Sequence, residues 1–218
     1  GLSGVYAYPG TPSTEITEYI QQHPLAAQRN VHRTWSSNEK TAMEEALGMS
    51  FAGKRALVCM KHVGLNVAAD AFVNSAMTGA NGGLVVVAAD DPSMHSSQNE
   101  QDSRFYGKFA LVPTFEPADQ QEAYDMAKAA FDLSERFRIP VLMRLTTRMA
   151  HSRAVVETGE ARAENPLSHP EQPRQWVLMP GNSRVRYQTL LEDYARLEEE
   201  SAASPFNAYT AVSYTHLR

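Results

Sequence analysis

The chain has a single cysteine, Cys59, among 218 residues. Within this piece that excludes a disulfide framework, an iron–sulfur cluster and a cysteine zinc site. Long hydrophobic runs are missing too. No apolar stretch approaches the roughly 18 residues of a membrane span. Nor is positive charge in excess: Lys and Arg number 20 against 25 Asp and Glu, for a net charge of −5 and a pI near 5.8. That balance argues against a nucleic-acid or anionic-membrane surface, and the cytoplasm is the expected compartment. What is present is ordinary globular composition, 43% apolar and 21% charged, which excludes disorder throughout and a fibrous chain. At roughly 150 residues per domain, the length fits one domain with an appendage or two small ones.

Short apolar runs alternate with helical patterns over the first 150 residues. Strands are expected at Val5–Tyr8, Val31–Trp35, Arg55–Met60, Gly83–Ala88 and Val141–Leu145. Gly83–Ala88 is β-branched without alternation, the mark of a strand buried on both faces. Between the strands, Thr11 is placed to cap a helix with Pro12 at its first position, running to about Gln22. Further helices are expected over Ser36–Phe51, 65–77 and Asp119–Phe137, with a polar loop over 89–112. Alternating strands and helices imply right-handed crossovers, hence a three-layer α/β domain with a mostly parallel sheet over residues 1–156. Residues 157–182, with Pro166, Pro170, Pro173 and Pro180, read as a linker. Residues 183–207 read as a charged helix leading to a further domain, and 208–218 as a non-native tail. Both ends look cut, so the expectation is a fragment of a longer protein.

Several signals have bland readings. Gly48–Lys54 copies the spacing of a phosphate-binding loop, but Arg55 stands where Ser or Thr is needed and the order is helix then strand. A helix stop at Gly53 accounts for it. Asp90-Asp91-Pro92 reads as a turn at the carboxyl end of a strand, where α/β sheets bind ligands. The seven histidines include no pair at metal-ligand helical spacing; His62, at a strand's carboxyl end, is the one worth watching. Ser36-Ser37-Asn38-Glu39 fits a capping box, and spacing alone favours that local role for Glu39. The functional alternative is a carboxylate beside the sheet's ligand edge.

Five motifs shift those odds: Tyr8-Pro9-Gly10-Thr11-Pro12-Ser13-Thr14-Glu15-Ile16, Asn38-Glu39-Lys40, Lys61-His62-Val63-Gly64-Leu65-Asn66-Val67-Ala68, Ala89-Asp90-Asp91-Pro92 and Asn99-Glu100-Gln101-Asp102-Ser103-Arg104. In this order the chain resembles the large (alpha) subunits of the indolepyruvate ferredoxin oxidoreductase family, within the 2-oxoacid:ferredoxin oxidoreductase superfamily. The resemblance covers about residues 5–150 and continues to about Asn207.

The resemblance implies a pyrimidine-binding domain of a thiamine-diphosphate enzyme. It implies Mg and 4Fe–4S clusters held elsewhere in the subunit, since no Gly-Asp metal signature and no cluster cysteines occur here. A small (beta) subunit, ferredoxin, coenzyme A and a 2-oxoacid are the implied partners. The reaction implied is oxidative decarboxylation of an arylpyruvate to an acyl-CoA. Its first proton transfer needs a carboxyl group hydrogen-bonded to pyrimidine N1′, holding or sharing a proton near neutrality, which a partly dry pocket favours. Residue by residue, Glu39 matches that carboxyl. Thr11 matches the threonine that meets the substrate carboxylate in the pyruvate enzymes, with Lys61 and His62 beside it as substrate-binding positions. Asn66 and Asp90 match positions on the same edge assigned to the cofactor. The pyruvate enzymes carry a substrate-binding arginine near Asp90's position, and its absence here fits a bulkier aryl substrate. The same chemistry on pyruvate, 2-oxoglutarate or a branched-chain 2-oxoacid, and a non-catalytic α/β binding module, are the alternatives.

Overall fold

A computed structural model describes residues 1–209, so most of the expected 208–218 tail lies outside the described residues. Six strands, β1 (Gly4–Ala7), β2 (His32–Trp35), β3 (Ala56–Lys61), β4 (Leu84–Asp90), β5 (Thr114–Phe115) and β6 (Val141–Thr146), form one sheet in the order β2-β1-β3-β4-β6-β5. Every pairing is parallel, as the strand–helix alternation requires. All seven residues of β4 are buried, which explains its unbroken apolar run.

The helices are α1 (Thr14–Gln22), α2 (Pro24–Gln28), α3 (Glu39–Phe51), α4 (His62–Thr78), α5 (Arg104–Ala110), α6 (Gln120–Phe137), α7 (Thr147–Ala150) and α8 (Pro180–Ala202). Alternate strand residues face opposite layers. Val58, Met60, Leu84 and Val86 meet Ala42, Met43, Leu65 and Phe72 of α3 and α4. Val5, Cys59, Val85 and Val141 meet Met126, Ala130 and Leu133 of α6, with Ile16 and Ile20 of α1. Small residues on α3 and α4 let these two helices lie side by side against the sheet.

Two local expectations are corrected. Thr11 does not cap α1; it is exposed in the preceding turn, and Ser13 is the cap residue. The turn is closed instead by Ser13, whose amide and hydroxyl both donate to the Gly10 carbonyl, and by Thr14 Oγ1, which accepts from Gly10 N. The capping box at Ser36 does not form either. Asn38 caps α3, its Oδ1 accepting from Thr41 N at 2.9 Å, because the helix starts at Glu39 and Thr41 carries its third N–H. Ser36 Oγ donates instead to Glu45 Oε2. Glu39 is thereby the first residue of the helix rather than the third.

The expected linker over 157–182 is irregular only as far as Met179, apart from a 3₁₀ turn at Pro173–Trp176, because α8 already starts at Pro180. It is stitched across the amino ends of the strands: Asn165 donates to Gly53 O and Glu135, Ser168 N to Ala52 O, and Trp176 packs on Phe51. The charged helix expected at 183–207 is α8, which packs on α4 and buries Leu190 and Leu197 in the core. Among the described residues, no helix is long and apolar enough to cross a membrane.

Candidate functional site

The strand order reverses between β1 and β3: from β1 the chain moves outward to β2, then returns to β3 and proceeds the other way. Such a switch point opens a crevice at the carboxyl ends of the strands, where α/β sheets bind ligands. The loop after β1 and the start of α4 form its two walls. They are close: a Cβ on Gly10 would lie 3.3 Å from Lys61 Cβ.

Glu39 comes to the same place from α3. Its side chain is half-buried and crosses the first turn of α4 so closely that a Cβ on Gly64 would lie 2.7 Å from both Cγ and Oε1. The flanking polar side chains look elsewhere, Asn38 to Thr41 and Lys40 to Asp70, and no described side chain bonds the Glu39 carboxyl. A carboxylate packed against main chain, with its oxygens uncommitted, is a group held ready for a ligand.

Lys61 ends β3 and His62 opens α4 without an intervening loop. Lys61 Nζ donates to Ser96 O at 2.7 Å, and His62, fully buried, bonds Asn99 O through Nε2 at 3.2 Å. His62 Nδ1 is buried with no partner among the described residues. The 92–103 segment therefore folds over these two residues. Thr11 stands exposed next to Gly10 on the facing wall.

Asn66 and Asp90 lie on the same edge but are engaged within the chain. Asn66 Oδ1 accepts from the Tyr106 hydroxyl of α5. Asp90 is fully buried and accepts from Ser103 N, Ser103 Oγ and Arg144 Nε. Asp91, also buried, accepts from Ser96 N, Ser97 Oγ and Thr147 Oγ1. Burial alone would raise its pKa, yet these hydrogen bonds prevail and hold the carboxyl well below the usual carboxylate range. The structure thus brings Thr11, Glu39, Lys61 and His62 to one crevice, with Asn66 a turn farther along α4. The Asp90-Asp91 pair anchors the loop beside it. Reasoning from the sequence did not single out Gly64 or Arg144. Gly64 sits inside a quoted motif, while nothing local marks Arg144, 54 residues from its partner Asp90. A cavity of about 590 Å³ lies away from this edge, between β5, α6 and the end of α8.

The chain is similar in sequence and fold to known proteins. Indolepyruvate oxidoreductase subunit IorA of Pyrococcus abyssi is 48% identical over 214 residues, 95% of this chain and 33% of that protein. The 2-oxoglutarate synthase subunit KorA of Methanothermobacter thermautotrophicus is 26% identical over 145 residues, 62% of this chain and 37% of that one. The chain thus spans about a third of the length of the curated relatives it matches. Among solved structures, 2-oxoglutarate:ferredoxin oxidoreductase from Magnetococcus marinus superposes with a TM-score of 0.65 at 16% identity, over 91% of this chain and 42% of that one, a likeness of fold. The family described as pyruvate flavodoxin/ferredoxin oxidoreductase, thiamine-diphosphate-binding, matches residues 1–211, and the chain belongs to it.

Proposed function

We propose that this chain is the pyrimidine-binding part of a thiamine-diphosphate-dependent oxidoreductase subunit that oxidatively decarboxylates arylpyruvates, indolepyruvate among them. The observation that carries the reading is the Glu39 carboxyl, half-buried at the start of α3, unbonded, and aligned against Gly64 at the switch-point crevice. The donor set suits the pyrimidine half of the cofactor: one carboxyl for a ring nitrogen, with main chain rather than bulk opposite it. Bound thiamine diphosphate supplies the carbon nucleophile that a 2-oxoacid needs in order to lose carbon dioxide. Glu39 holds and shares a proton at pyrimidine N1′. The Thr11 hydroxyl and the Lys61 ammonium offer a donor and a positive charge to the substrate carboxylate, and His62, next to Lys61 at the start of α4, is the third substrate-binding position of this reading.

The remaining two thirds of a full-length subunit would carry the diphosphate site with its Mg ligands and the 4Fe–4S clusters. A small subunit, ferredoxin and coenzyme A complete the proposed assembly, in the cytoplasm. Support for an aryl substrate is the identity of 48% to a relative named for indolepyruvate, against 26% to one named for 2-oxoglutarate. A substrate panel on the complete enzyme checks this, and a preference for 2-oxoglutarate or pyruvate would reject it.

The test of the site is Glu39→Gln in the complete subunit with its partner. Glutamine keeps the shape and cannot share a proton, so turnover should fall by roughly 10²–10⁴, as for a lost general acid–base group. A folded, cofactor-loaded variant keeping more than about a tenth of its turnover would move the role to another carboxylate.

A further inference from the structure

We propose that Gly64 is a positioning residue: the side chain it lacks is the space the Glu39 carboxyl occupies. This rests on the reading of Glu39 given above. Gly64 is buried in the first turn of α4, and a Cβ there would stand 2.7 Å from Glu39 Cγ and Oε1 and 3.0 Å from Cδ. The backbone does not ask for glycine: the positive-φ glycines are Gly53 and Gly79, not Gly64. A helical glycine weakens its helix relative to alanine. That cost at position 64 answers to the carboxyl that packs on it from α3. The three nearest atoms to such a methyl group all belong to the flexible side chain of Glu39. Alanine is therefore accommodated by rotation of Glu39 into another rotamer, with the fold intact and the carboxyl displaced.

The experiment is Gly64→Ala in the complete subunit with its small partner, read by crystal structure, thermal midpoint, calorimetric affinity for thiamine diphosphate, and turnover. The midpoint should hold or rise, and the carboxyl should turn away from α4. Cofactor affinity should weaken, and turnover should drop about 10²-fold, the scale of a small misplacement of a reacting group. The double variant Gly64→Ala/Glu39→Gln should be no slower than Glu39→Gln alone, since both changes act through one carboxyl. A lowered midpoint, an unmoved carboxyl, or full turnover in an enzyme that Glu39→Gln inactivates would each overturn the proposal. If Glu39→Gln itself keeps its turnover, the catalytic reading fails instead. The crystal structure of the Gly64→Ala protein then still decides whether glycine sets the carboxyl's place.

Discussion

Arg144 and Asp90 form a buried ion pair between neighbouring strands, Nε to Oδ2 at 2.6 Å, with side-chain exposures of 8% and 0%. The pair does two things at once. It ties β6 to the end of β4, and through Asp90 it holds Ser103, where the 92–103 segment rejoins the fold. Removing one partner strands the other charge without water. Arg144→Met should therefore cost about 3–5 kcal/mol in denaturant unfolding, the range for a broken buried pair. A loss below about 1 kcal/mol would show that the pair is solvated in practice.

Asp91 makes stability depend on acid. Its pKa is depressed in the folded chain by hydrogen bonds that outweigh burial, so the folded state binds its proton less readily than the unfolded one does. The contribution is fully present above the unfolded value of about 4 and is lost as pH falls below it, toward the depressed folded value. Asp91→Asn should flatten the pH dependence of the unfolding free energy below about pH 4 and leave its slope at neutral pH unchanged. An identical acid slope in the variant would assign the acid sensitivity elsewhere.

Cys59 should be chemically silent. It is fully buried between sheet and helices, and burial pushes its thiol up to about 12, with a smaller opposing pull from the Thr17 side chain. Thiolate is the reactive form, so labelling by a thiol reagent at pH 8 should follow global opening and become fast only in denaturant. Rapid labelling of the native chain would contradict this packing.

Glycine substitutions should divide by what a methyl group meets. At Gly82 it would overlap the carbonyl oxygens of Gly53 and Lys54, backbone that cannot rotate away. Gly82→Ala should cost about 1–3 kcal/mol or more, as overpacking does, whereas Gly64→Ala should leave stability unchanged or raise it. Thermal scans of the two variants side by side check the contrast.

Much of the scaffold was legible because its periodicities are strong. The unbroken Gly83–Ala88 run meant two covered faces, and β4 is indeed central. What escaped depends on distant partners. The two-residue strand β5 exists only by pairing with Leu142 and Met143. Helix α4 starts at His62, earlier than its apolar stripe suggests, because β3 runs directly into it. Val67, an apolar residue one turn before buried Ala71, is half exposed. Within the site, Glu39 was visible through its motif, yet spacing alone pointed to a capping box that Asn38 pre-empts. The significance of Gly64 could not be read locally, since it lies in what α3 places opposite.

The sheet closes with two poor edges. At one side β5 is only two residues long, and at the other β2 spans four, with His32 and Thr34 turned to solvent. Neither presents the long, flat, apolar row of free amides and carbonyls on which a foreign strand could grow. The fold thus resists lengthening by strand addition, and with it fibril-like stacking. What the domain presents to its surroundings is chiefly helix faces and the loops at its strand tips.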